Sequence, residues 1–194
     1  NMLSVVCMQK LLINHVLDPM HTEKNIAQNL IHTTSGKKDT TAVRNDMEAE
    51  GIHEQLWMKP HPNNKKDHFV KPKAPYVMSK PELEKFLGTL KNLKVPTDFG
   101  SSLAKCVRAS NKLAGLKSHD YHCLMQQILP LALKDLMAAG PRMAIISVCR
   151  VWRKICCKVW DPSTKEELMT DVAHTLCALE MHFPASFFDV MTHL

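Results

Sequence analysis

The stretch NHVLDPMHTEKNIAQNL, residues 14–30, decides how this chain is read. Asp18 followed by Pro19 marks a helix start. An aspartate side chain can accept the free N–H groups of the first turn, and proline at the first helical position lacks a donor that would be orphaned there. From that start Met20, Glu23, Ala27, Leu30 and Ile31 recur at spacings of three and four and share one face. One member of this apolar stripe is a carboxylate. An acid facing a core is strongly unfavourable unless something pairs with it. His15, Asp18 and His21 gather at the same helix start, so ligands and proton carriers are plentiful there. Two readings remain open: a half-exposed helix with an acid at its edge, or an acid held for a purpose.

Working outward, residues 2–13 suit either a short buried strand or a helix, and their length does not arbitrate. The helix from Asp18 is expected to reach Ile31 or His32, where Thr33-Thr34-Ser35-Gly36 breaks it. A thin stripe of Val43, Met47, Ile52 and Leu56 predicts a weak helix over 40–50, closed by Gly51 in the left-handed conformation. Residues 59–75, KPHPNNKKDHFVKPKAP, hold four prolines and five lysines and offer little apolar surface. That composition predicts an exposed basic linker and places the domain boundaries at 1–57, 58–78 and 79–194.

Beyond the linker the pattern is helical. Ser79-Lys80-Pro81-Glu82 forms a capping box ahead of Leu83, Phe86, Leu87, Leu90 and Leu93. A short helix is expected over 102–107, then one from Ser118 to Leu129 that Pro130 kinks or ends. A short helix over 131–139 should close at Gly140-Pro141. Residues 142–160 are the most apolar of the chain and predict the central core helix, with Trp152 and Trp160 on its apolar side. Ser163 with Glu166 caps a helix bearing Leu168, Met169, Val172, Leu176 and Leu179, and a last helix should include Phe187 and Phe188. The fold class expected is all-α, mainly a helical bundle, with a short strand near the N-terminus the one exception and no sheet within 79–194.

The 194 residues suffice for a real core. A formal charge of +6 with eleven histidines favours a polyanionic partner without requiring one. Seven cysteines, with no CxxC pair, fall largely beside Val, Ile and Leu and suit reduced thiols inside a cell. Residues 2–17 are too short and too interrupted to span a bilayer, so the chain is read as soluble and intracellular.

Taken together, NHVLDPMHTEKN with NL at 29–30, KKDTTAVRNDMEAEGI (37–52), GLKSHDYHCLMQQILP (115–130) and FPASFFDVMTHL (183–194) resemble plant En/Spm-type (CACTA) transposases. The first piece resembles the end of their catalytic region. The later ones resemble the helical domain of unknown function that follows it. Pro19, Thr22 and Ala27-Gln28 depart from the residues usual in that family. The resemblance implies a DDE-type enzyme in which three acids hold two Mg2+ ions for attack at phosphorus. It makes Glu23 the candidate third acid, with Asp18 and His21 as neighbours that tune it. It also implies a nuclear setting and a chain cut at both ends. Residues 2–17 supply no Asp or Glu, so the two-metal site cannot be completed here, and no cofactor is expected in the chain itself.

Two further constellations stand beside that site. His119, His122 and Cys123 share a helical face and could offer ligands to Zn2+, although packing or capping explains them equally and no fourth ligand is in sequence reach. Lys65, Lys66, Lys71, Lys73, Arg150, Arg153 and Lys154 could contact a nucleic-acid backbone, and a solvated helix face accounts for them as well. The expectation is a catalytically inactive piece of a transposon protein, with DNA or self-association as possible contacts. The alternative is a helical protein-interaction module with no nucleic-acid role.

Overall fold

The computed structural model describes residues 18–61, 69–94, 103–110 and 112–191, with side chains to 188. The chain is mainly helical. Helix α1 spans Pro19–Thr34, and Asp18 caps it by accepting the N–H groups of Met20 and His21. It runs slightly past the expected end because the Thr34 hydroxyl donates to the Leu30 carbonyl, 2.8 Å away, and Gly36 turns the chain at φ 78°. Helix α2, Thr41–Ala49, is capped by Thr40, and Gly51 follows at φ 68° as its composition required.

Strand β1 (Lys59–Pro60) pairs antiparallel with β2 (Phe69–Val70). The segment after β2 is no spacer. Ala74, Tyr76 and Met78 are buried, and the Met78 N–H donates to the Thr34 carbonyl at 2.8 Å. Residues on both sides of the expected 58–78 linker join one hydrophobic cluster, from Ile26 and Leu30 through Tyr76 and Leu124 to Phe187. Prolines and lysines made the segment look exposed; its alternate apolar residues are what dock it.

Helix α3 spans Lys80–Asn92 and buries Phe86, Leu87 and Leu90. The Glu82 carboxylate accepts both the N–H and the hydroxyl of Ser79. A 3-10 turn over Leu103–Cys106 stands where a short helix was expected. It leads into a two-residue ladder, β3 (Val107–Arg108) against β4 (Lys112–Leu113), so 79–194 does contain a minimal antiparallel pair.

Helix α4, Ser118–Cys123, widens into a π-helical turn over Leu124–Ile128 before α5, Leu129–Ala132. Pro130 is the physical reason: it has no N–H to give the Gln126 carbonyl and its ring crowds that turn. Helix α6 spans Ala139–Ile155, so Gly140-Pro141 opens a helix rather than closing one. The preceding turn uses left-handed Asp135 and Met137 instead of glycine. Pro141, Ala144, Ile145, Val148, Cys149, Val151 and Trp152 form the buried face of α6. It stops five residues short of Trp160, which is 46% exposed, and neighbouring Val159 is 87% exposed. Asp161, not Ser163, starts the next element by accepting the Ser163 N–H. Helix α7, Lys165–His182, then packs along α6. Of its expected face only Leu179 is fully buried, and Met169 is exposed. A 3-10 stretch over Ala185–Met191 replaces the expected last helix and buries Phe187. The strand expected within 2–13 lies outside the described residues.

Candidate functional site

Glu23 sits one turn into α1 on the face that also buries Ile26, Ala27 and Leu30, and its side chain has no exposure at all. It meets α4 and the π-turn. Asp120 caps α4 by accepting the Lys117 N–H at 2.7 Å, which sets the register of the helix start. His122 and Gln126 then fall four residues apart on the face turned to α1. His122 Nδ1 lies 2.5 Å from Glu23 Oε2, and the Gln126 amide donates to Glu23 Oε1 at 3.1 Å. Gln126 Nε2 is also 3.2 Å from His122 Nδ1. With Glu23 ionised, the shorter contact requires Nδ1 to carry the proton and donate it to the carboxylate. Both oxygens of the buried acid are therefore satisfied by side chains.

Cys156, at the C-terminal cap of α6, approaches the same point. The oxygen of Glu23, a ring nitrogen of His122 and Cys156 Sγ all lie within 4.8 Å of one another. Burial first, then the Glu23 charge, pushes the Cys156 thiol up. Burial pushes Cys149 up to about 12. Neither is a ready nucleophile. Arg153 closes this side by donating from Nε to the Gln126 carbonyl at 3.0 Å, with a second donation from Nη2. That carbonyl is the one Pro130 leaves without its helical partner.

The expected trio of Glu23, Asp18 and His21 is not assembled. Asp18 and His21 are exposed, and the Asp18 carboxylate accepts the N–H groups of its own helix at 3.0 and 3.1 Å. His15 lies outside the described residues. The expected zinc trio also divides. His119 Nε2 contacts Cys123 Sγ at 3.6 Å, whereas His122 turns away to Glu23. The two imidazoles remain stacked, centroids 6.3 Å apart.

Most of the described cations expected to contact nucleic acid are bonded within the chain. Lys71 donates to the Asp39 carbonyl at 2.5 Å and pairs with its carboxylate at 3.2 Å. Arg153 serves Gln126, and Lys154 bridges Glu167 and Asp171 on α7 at 2.6 Å each. Lys73 and Arg150 are exposed, and Lys65 and Lys66 lie outside the described residues.

A second buried cluster has no counterpart in the sequence reading. Arg44, fully buried, donates to both Asp39 carboxylate oxygens at 2.6 and 3.0 Å. It also donates to the carbonyls of Leu56 at 2.6 Å and Pro72 at 3.0 Å. The Tyr76 hydroxyl donates to Asp39 at 3.1 Å. Burial and the Asp39 charge push the Tyr76 hydroxyl well above its ordinary range. The signal available in the sequence was Arg44 lying three residues before Met47, on the buried side of α2. The cluster ties α2 to 56 and 71–76.

A family model described as Domain of unknown function (DUF4218) matches residues 155–194, which cover the end of α6, all of α7 and the turn after it. No curated protein and no solved structure matches the chain. Among the described residues, no helix is long and apolar enough to cross a membrane.

Proposed function

We propose that this chain is a non-catalytic helical module of a CACTA-type DNA transposon protein, acting through protein contacts rather than by cutting or gripping DNA. The stretches at 14–30, 37–52, 115–130 and 183–194 support the transposon reading, and the nucleus is the compartment it implies. The observation that carries the non-catalytic part is the enclosure of Glu23. A third acid of a two-metal site must present its oxygens to ions that also hold a phosphate. Here both oxygens directly meet the side chains of His122 and Gln126. Cations already bonded within the chain to Asp39, Gln126, Glu167 and Asp171 favour a protein partner over DNA.

The test is one preparation and two assays. The purified chain should show no Mg2+-dependent nicking of supercoiled DNA. Its DNA binding, measured from 50 to 200 mM salt by fluorescence anisotropy, should be weak and fall far less than the roughly thousandfold expected for six or more phosphate contacts. Cleavage that disappears in Glu23→Gln would overturn the reading, and a steep salt slope would restore DNA as the partner.

A further inference from the structure

Beyond that functional reading, though built on the same Glu23 and His122, one cluster has the makings of a metal site that spans three elements. We propose that Glu23, His122 and Cys156 bind one Zn2+ ion, through a carboxylate oxygen, the imidazole Nδ1 and the thiolate, with water in the fourth position. Donor chemistry favours this ion. A thiolate, an imidazole and a carboxylate together suit Zn2+, whereas Mg2+ and Ca2+ take oxygen donors.

Geometry favours it as well. Ligand atoms around a tetrahedral Zn2+ stand about 3.4 Å apart, given bonds of roughly 2.0–2.3 Å. The three donors already lie within 4.8 Å of one another. The His122–Glu23 contact of 2.5 Å has to open by roughly 1 Å, and Cys156 has to close by a similar amount. Both shifts are within side-chain torsions. The supporting shell is present without rearrangement. Gln126 holds the other Glu23 oxygen at 3.1 Å, and Arg153 holds the Gln126 backbone from behind. His122 keeps 29% of its side-chain surface exposed and Cys156 is half-buried, so ion and water have a way in.

Charge balance gives the buried acid a reason. A carboxylate and a thiolate neutralise Zn2+, so the occupied site carries no net charge into the interior. Proton balance is simple too. Zn2+ takes the place of the hydrogen between His122 and Glu23, which moves to Nε2 of the neutral ring, and the Cys156 thiol releases one proton to solvent.

The metal-free chain should bind Zn2+ one to one by calorimetry, with proton release that scales with buffer ionisation. Co2+ in its place should give intense tetrahedral d–d bands and a thiolate charge-transfer band. Cys156→Ser and His122→Gln, both at half-buried positions, should each weaken binding by more than the roughly 10–100-fold typical of outer-shell changes. Cys157→Ser and His119→Ala should bind as the parent does. Unchanged affinity in both ligand variants, absence of one-to-one binding, or loss on His119→Ala or Cys123→Ser alone would each overturn the assignment. Should a ligand variant fail to fold, alkylation of the parent chain decides. Zn2+ must protect Cys156 while leaving exposed Cys157 reactive, and equal labelling of Cys156 with and without the ion rejects the site.

Discussion

Asp39 shows how a single residue can be pulled two ways. Burial alone would raise its carboxyl, but hydrogen bonds and charge from Arg44 and Lys71 hold it below the ordinary carboxylate range. A depressed folded-state value contributes stability that is complete above the unfolded value and is lost as the pH falls through the folded one. The protein should therefore lose stability below about pH 4, seen as urea midpoints that fall with acid. Asp39→Asn should flatten part of that slope, leaving the part from Glu82, which Ser79 also holds low. Arg44→Met leaves the buried Asp39 carboxylate with only Lys71 and the Tyr76 hydroxyl and strands two carbonyls, and should cost about 3–5 kcal/mol in urea unfolding at neutral pH. Sequence legibility divided along the same line. The place of Glu23 in an apolar stripe, a purely local signal, raised its burial without deciding it against a half-exposed helix edge, and the carboxylate is fully buried. Its partner His122 sits 99 positions away, and no local pattern carries that distance. Arg44 was missed for the same reason: its role depends on carbonyls at 56 and 72 that only the folded chain brings near.

Among the elements, a helix start was readable where its cap lies within a few neighbouring residues, as at Asp18 and the Ser79–Glu82 box. It was not readable at Gly140-Pro141, which opens α6 instead of closing a helix, or at Ser163, where Asp161 is the cap. Ends and interruptions were also hard to read. The apolar pattern of α6 continues to Trp160, yet the helix stops at Ile155 and leaves Val159 and Trp160 outside. Two-residue ladders such as β3–β4 carry no periodicity to read. Trp152, in contrast, is buried as its spacing predicted, and Trp152→Ala should destabilise by about 3–5 kcal/mol in chemical denaturation. The π-turn offers a sharper test, since Pro130 and Arg153 are two halves of one arrangement. Arg153→Met leaves the Gln126 carbonyl poorly satisfied and should cost about 1–3 kcal/mol. Pro130→Ala restores a backbone donor to that carbonyl, so in its presence the cost of Arg153→Met should shrink. A double-mutant cycle that shows strict additivity would mean that the two do not share the carbonyl.

For the whole molecule, the decisive finding is one core on both sides of a basic, proline-rich segment. Phe183 stacks on Tyr76 with centroids 5.6 Å apart and packs on Phe187 at 5.0 Å. Its carbonyl lies 3.1 Å from His53 Nε2, while the Asn29 amide donates to the Phe187 carbonyl at 2.7 Å. A chain nicked by trypsin after Lys73 should therefore elute as one particle under native conditions. Residues 79–194 expressed alone should lack a cooperative unfolding transition; a sharp one would argue for an independent unit. Composition could not reveal this, because the residues that dock the segment are few and scattered among its lysines. The Asn29–Phe187 contact also has a bearing on synthesis. Its two ends are 158 residues apart, and at about 5–20 residues per second the ribosome needs on the order of 8–30 s to make that interval. Glu23 waits about two thirds as long for His122 and Gln126, so the buried face of α1 is closed in stages, and until the later segments are made it is where a chaperone would find this part of the nascent chain.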